Sequence, residues 1–146
     1  MRIVLQRVSK ASVWVDENEI GTIRQGLLLL VGIHENDTEE QMQWLCDKIL
    51  KLRIFDDENG RMNHSVSDIK GELLIVSQFT LYGDYEKGNR PSYIEAANPG
   101  KAETLYDKMI NYMKVNSELN IQTGEFGAYM DVRLRNDGPV TLVLER

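Results

Sequence analysis

The chain has 146 residues, with 23 acidic and 17 basic side chains for a formal net charge of −6, two histidines, one cysteine and three prolines. A single cysteine excludes a disulfide framework and a cysteine-rich zinc site, and apolar and charged shares of 42% and 27% are those of an ordinary globule, not a disordered tail. The longest uninterrupted apolar run, Leu27 to Val31, is far short of a membrane span, and the negative balance argues against strong non-specific nucleic-acid binding.

The length suits one domain, 1–146, with a core large enough to stand without staples. Arg2, Gln6 and Arg7 lie inside the first strand-like run, so a signal peptide is not expected there and a cytoplasmic address is. Arg2 to Val8 is β-branched and apolar-rich, a strand. Ser12 to Val15 and Ile20 to Arg24 flank the polar stretch 16–19 as a hairpin. Gly26 introduces Leu27 to Ile33, apolar on both faces and therefore a strand covered on both sides.

Met42, Leu45, Cys46, Ile49 and Leu50 then form one helical stripe. An Asp37–Glu40 pair would cap it, and Lys48 and Lys51 close it. Leu73 to Phe79 is a second buried strand. Asn98 as N-cap and Pro99 in the first turn open another helix, whose stripe is Ala102, Leu105, Tyr106, Met109, Ile110 and Met113. Met130, Val132 and Leu134 alternate with Asp131, Arg133 and Arg135 as a half-buried strand. Residues 136–139 read as a turn, after which Val140 to Leu144 returns. The order β-β-β-β-α-β-α-β-β predicts an α+β fold: a mainly antiparallel, two-layer or barrel-like sheet packed with two helices. Two polar loops, 56–70 and 82–98, are long enough to carry function.

The usual chemistry is missing. There is no phosphate-binding glycine loop and no dinucleotide fingerprint. His34 and His64 are 30 residues apart, outside any metal-ligand spacing, and each reads as a surface histidine. Cys46 falls on a core stripe, an inert thiol. A Ser-His-Asp or Cys-His site has little to work with. A basic cluster, Arg2, Arg7 and Lys10 without an acid in residues 1–13, is set against an acidic run at 34–47; charge alone favours an ordinary mixed surface.

Two segments break this pattern. Ser77-Gln78-Phe79-Thr80-Leu81 ends a buried strand in hydroxyl and amide side chains, which need partners or a pocket. Asn136-Asp137-Gly138-Pro139-Val140-Thr141 follows a hairpin signal with a proline that removes a ladder donor. Taken singly, each reads more simply as a strand end and an edge turn.

Together, SQFTL at 77–81 and NDGPVT at 136–141 resemble the signature pair of the D-aminoacyl-tRNA deacylases. LQRV at 5–8, ASVWV at 11–15, RIF at 53–55, GRMN at 60–63, KGNRPSY at 87–93, LYD at 105–107 and QTGEFGAYM at 122–130 fit in order along the whole chain. One departure is Tyr129, where the family pattern has a polar or charged residue before Met. The resemblance implies hydrolysis of the ester joining a D-amino acid to the terminal adenosine of tRNA. It also implies action on glycine mischarged to a non-cognate tRNA. It implies a cytoplasmic homodimer with the active site at the subunit interface and neither metal nor organic cofactor. By motif, Ser77, Gln78, Phe79 and Thr80 line the ester site. Gly138 and Pro139 match a Gly-cisPro element that enters the partner's pocket, Arg7 supports that element, and Met130 forms pocket wall.

An activated ester with a neighbouring 2′-hydroxyl needs positioning and oxyanion stabilisation more than a strong base. The expectation is that N–H groups of Phe79 and Thr80 receive the oxyanion and that Thr80 positions rather than attacks. Arg7, Lys10, Lys87 and Arg90 are the candidate tRNA contacts. The alternatives are a non-catalytic binder of the tRNA acceptor end, a small-molecule D-amino-acid esterase, and a purely structural oligomerisation domain.

Overall fold

The computed structural model describes residues 1–146. In chain order the elements are β1 (Arg2–Val15), β2 (Asn18–Ile23), β3 (Gly26–Gly32), α1 (Glu39–Lys51), β4 (Phe55–Asp56), β5 (Met62–His64), β6 (Glu72–Ser77), a 3-10 turn (Phe79–Tyr82), α2 (Pro99–Asn116), β7 (Asn120–Thr123) and β8 (Asp131–Glu145).

β1 organises the sheet. Its first half pairs antiparallel with β3, from Arg2 opposite Gly32 to Val8 opposite Gly26. Its second half pairs with β2, from Ala11 opposite Ile23 to Val15 opposite Asn18. Its other edge is held along nearly its full length by β8. β3 and β6 are parallel, as are β6 and β7, so the antiparallel pairs of β1 predominate and two parallel crossovers carry the helices.

A bulge between Val8 and Lys10 lets the long strands bend, because an unpaired residue sharpens local twist. Beyond the bend, β2 and the adjoining halves of β1 and β8 fold over one sheet face. Val8, Ala11, Val13 and Ile23 there meet Leu28, Leu74 and Val76 in a seven-residue core. The opposite face, with Ile3, Leu5, Leu27, Leu29, Leu73 and Ile75, packs on α1 and α2 in a core of 24 buried residues. Alternation along β3 and β6 therefore feeds two cores, which is why Leu27 to Val31 and Leu73 to Val76 are apolar without a break. A Cβ on Gly21 of β2 would stand 2.9 Å from the Thr123 carbonyl of β7, so the ends of the sheet nearly meet and the barrel is almost closed.

The α+β reading of a mainly antiparallel, barrel-like sheet with two helices holds, and four details are corrected. The two N-terminal runs are one bent strand. The cap of α1 is Thr38, whose hydroxyl accepts from the Gln41 N–H while the Gln41 side chain accepts from the Thr38 N–H. Asp37 instead accepts from the His34 N–H at 2.6 Å and pairs with the Met1 amine in a buried pocket. The loop at 56–70 contains the short β4–β5 hairpin. Finally, residues 136–139 do not reverse the chain. Asn136 pairs with Val8 and Thr141 with Gln6, so β8 runs on in one direction through that segment.

Candidate active site

β6 carries the chain out of both cores and stops abruptly. The Gln78 N–H donates to the Val31 carbonyl at 2.7 Å, the last bond to β3. The backbone then tightens into the 3-10 turn, with the Leu81 N–H on the Gln78 carbonyl at 3.3 Å and the Gly83 N–H on the Thr80 carbonyl at 3.0 Å. The first N–H groups of such a turn have no carbonyl behind them; those of Phe79 and Thr80 have no backbone partner. The predicted strand through Phe79 is therefore corrected to end at Ser77. The Gln78 carboxamide donates to the Thr80 hydroxyl, fixing it in place. Phe79 stands exposed and meets the edge of Tyr93 at 5.0 Å between ring centroids.

This turn borders a cavity of about 770 Å³. Ser77, Gln78, Phe79 and Thr80 form one side, the first turn of α2 another, and the segment from Phe126 to Val132, with Met130, a third. Tyr106 of α2 holds the arrangement by donating to the Ile75 carbonyl at 2.7 Å. Thirteen of the 19 lining residues are hydrophobic, and none is Asp, Glu, His, Cys, Lys or Arg. Tyr129 stands 94% exposed at the rim.

Gly138 and Pro139 are built on the bulge of β8. Between the Val8–Asn136 and Gln6–Thr141 pairs, β1 has one residue, Arg7, and β8 has four. Gly138 and Pro139 project as an exposed tip with a cis peptide bond between them, while Val140 is buried. Arg7 fills the space beneath. Its guanidinium is buried, donates to the carbonyls of Ile54 at 2.6 Å and Asp137 at 3.3 Å, and pairs with the carboxylates of Asp137 at 3.3 Å and Asp56 at 3.6 Å. Asn136 donates from its carboxamide to the carbonyls of Arg7 and Val140 at 2.9 and 3.1 Å, closing the base of the tip. Gly138 has φ +119°, a conformation L side chains rarely adopt, and a Cβ there would lie 3.0 Å from Arg7 Nη2 and 2.9 Å from Val140 Cγ2.

The sequence-predicted residues thus fall into two groups. Ser77, Gln78, Phe79, Thr80 and Met130 share the cavity. Arg7, Gly138 and Pro139 make the tip and its support, and none of the three lines that cavity. The tip adjoins Val8, in line with Gly26 and Glu72; Ser77 is five residues further along β6, roughly 16 Å at strand rise. Within one chain, the structure does not bring the two groups together.

Arg7 is also withdrawn as an RNA contact, since it is buried on two carboxylates. Lys10, Lys87 and Arg90 are exposed. Sequence reasoning missed Tyr93 and the start of α2 as cavity wall; the stripe beginning at Ala102 was legible only as core. His34 and His64 lie outside the cavity. Cys46 is fully buried, and burial pushes its thiol up to about 12. No group of three or more His, Cys, Asp or Glu side chains converges to hold a metal ion.

A family model described as D-Tyr-tRNA(Tyr) deacylase matches residues 4–145. A D-aminoacyl-tRNA deacylase of Thermosipho africanus is 57% identical over 145 residues, covering 99% of this chain and 97% of the relative. One from Bacillus cytotoxicus is 55% identical with 99% of each chain covered. Among solved structures, a c-Myc DNA Unwinding Element Binding Protein superimposes with TM-score 0.95 and 41% identity over 100% of this chain and 99% of that one. A probable eukaryotic D-amino acid tRNA deacylase shares the fold at 18% identity, with TM-score 0.83 over 98% and 97% of the two chains.

Proposed function

The chain belongs to the D-Tyr-tRNA(Tyr) deacylase family, and from that premise we propose that it hydrolyses the ester of D-aminoacyl-tRNA, and of glycine mischarged on a non-cognate tRNA, in a site shared by two copies. The observation that carries the reading is a cavity without an ionisable acid, base or nucleophile of the usual kind, bordered by two unpartnered N–H groups. The aminoacyl ester lies in the cavity with its carbonyl oxygen toward the N–H groups of Phe79 and Thr80. Water attacks the carbonyl carbon, and those donors stabilise the oxyanion. The carbon–oxygen bond to the ribose breaks, the proton given up by the attacking water passes to the ribose oxygen, and free amino acid and tRNA leave. The neighbouring 2′-hydroxyl assists. Thr80, held by Gln78, orients ester and water; with no base beside it, its hydroxyl is a poor nucleophile.

Handedness is read by exclusion. L and D esters carry the same groups, so only geometry separates them. The Gly138–Pro139 tip of a second copy enters the cavity, fixes the amino group with main-chain atoms and leaves no room for an L side chain. Glycine lets the main chain approach closely, and Arg7 braces the tip from behind. Because each tip is exposed and remote from its own cavity, a homodimer completes the site in this scheme. The address proposed is the cytoplasm, where charged tRNA is found; no helix of the chain is long and apolar enough to cross a membrane.

The test is deacylation of D-Tyr-tRNA and L-Tyr-tRNA matched in every other respect. Rapid loss of the D ester with the L ester at the buffer rate is expected, and similar rates on both would refute the reading. A second reading, a non-catalytic module that binds a nucleic-acid end, draws on the likeness to a protein named for binding a DNA element. It requires that neither ester be cleaved faster than in buffer.

A further inference from the structure

The outer face of the folded-over layer carries a feature that the ester site does not use. Lys10, Ser12 and Trp14 of β1 stand directly opposite Arg135, Arg133 and Asp131 of β8. All but Asp131 line a groove together with Thr22 and Glu19. The Arg133 guanidinium lies over the Trp14 ring at 4.8 Å and pairs with Asp131 at 2.7 Å. Lys10 and Arg135 are exposed and enter none of the chain's ion pairs. Three cations therefore share one groove with a single carboxylate, Glu19, and two of the three form no ion pair, on a chain whose net charge is −6.

Their place matters as much as their charge. Val132 lines the cavity from the inner face of β8, and Arg135 is three residues on, roughly 10 Å at strand rise. Asn136, the next residue, begins the bulge that presents Gly138. The cations thus stand between the cavity wall and the tip, on the side that faces solvent.

We propose that Lys10, Arg133 and Arg135, with Trp14 holding the Arg133 guanidinium, bind the sugar-phosphate backbone of the tRNA acceptor arm. The inference rests on the D-aminoacyl-tRNA reading of the cavity. Phosphate contacts of this kind position a nucleic acid without reading its sequence. They also supply an affinity that falls with salt. A local patch is sufficient for an acidic protein that grips only one arm of its substrate.

The experiment compares wild type with Lys10→Gln/Arg135→Gln and with Lys87→Gln/Arg90→Gln. None of these four side chains forms an ion pair, so the folds should be kept, which thermal melting checks. Three readouts are taken at 50 and 200 mM salt: filter binding of uncharged tRNA, kcat and KM on D-Tyr-tRNA, and cleavage of 3′-O-D-tyrosyl-adenosine, which fills the cavity but lacks the arm. For Lys10→Gln/Arg135→Gln, tRNA affinity should fall several-fold and the salt slope should shrink by about 2, one for each lost phosphate contact. KM on D-Tyr-tRNA should rise to match, with kcat and the adenosine ester unchanged. Unchanged tRNA affinity, an equal loss on the adenosine ester, or a loss confined to the Lys87→Gln/Arg90→Gln variant would overturn the proposal. Failure of the cavity reading looks different: wild type would cleave neither ester, while the binding arm would still decide the patch.

Discussion

A methyl group on Gly138 would meet Arg7 Nη2 at 3.0 Å and Val140 Cγ2 at 2.9 Å, in a backbone conformation with φ +119°. Gly138→Ala is therefore expected to strain the tip by roughly 1–2 kcal/mol and to shift it. A displacement of about 1 Å can cost on the order of 100-fold in rate. The expected result is thus a large fall in kcat/KM on D-Tyr-tRNA, with a melting temperature lowered by only a few degrees. Steady-state kinetics and calorimetry check the two halves. At this scale, the strand-end group is legible in the amino-acid sequence itself: Ser77, Gln78 and Thr80 announce themselves as polar side chains ending an apolar run. Arg7 is not. Its neighbours in sequence suggest a free basic patch, whereas the fold brings Asp56, Asp137 and the Ile54 carbonyl around it from 47 to 130 residues away. No local pattern encodes such a contact.

Among the elements, helices are the most legible, because an amphipathic stripe and its caps are written within a dozen residues. The start of α1 still shows the limit of pattern matching. An acidic pair at Asp37 and Glu40 mimics a cap, but the capping residues are Thr38 and Gln41, and Asp37 is occupied by the Met1 amine and the His34 N–H. Thr38→Ala should lower stability by about 1 kcal/mol without altering kcat, measured by urea unfolding and deacylation. The bulge of β8 misleads for a related reason. Asp-Gly flanked by apolar alternation is a hairpin signal, yet here both flanking runs pair with the same strand, β1, and four residues of β8 stand against the single Arg7 of β1. Whether a Gly-rich step turns the chain or merely swells it depends on the partner strand. Local sequence does not contain that information.

For the molecule as a whole, the two-layer, nearly closed sheet follows from one long strand bending at a bulge, so that two cores form on opposite faces of β3 and β6. That same architecture places the end of β6 at Ser77 and the β8 bulge at opposite ends of the sheet. Within one chain the cavity and the braced Gly138–Pro139 tip stand apart. Chain order and motif spacing single out both segments; their separation comes only from strand register. A shared site makes a prediction that no single-chain site can satisfy. A Thr80→Val chain keeps an intact tip, and a Gly138→Val chain keeps an intact cavity wall. Each variant alone should be nearly inactive on D-Tyr-tRNA. After the two are unfolded together and refolded at equal concentration, half of the dimers are mixed, and one of the two sites in each mixed dimer joins an unaltered wall to an unaltered tip. Recovery of about a quarter of wild-type activity is the predicted result. If the mixture is no more active than the average of the separate variants, while wild type treated in the same way regains its activity, the shared main-chain site is contradicted.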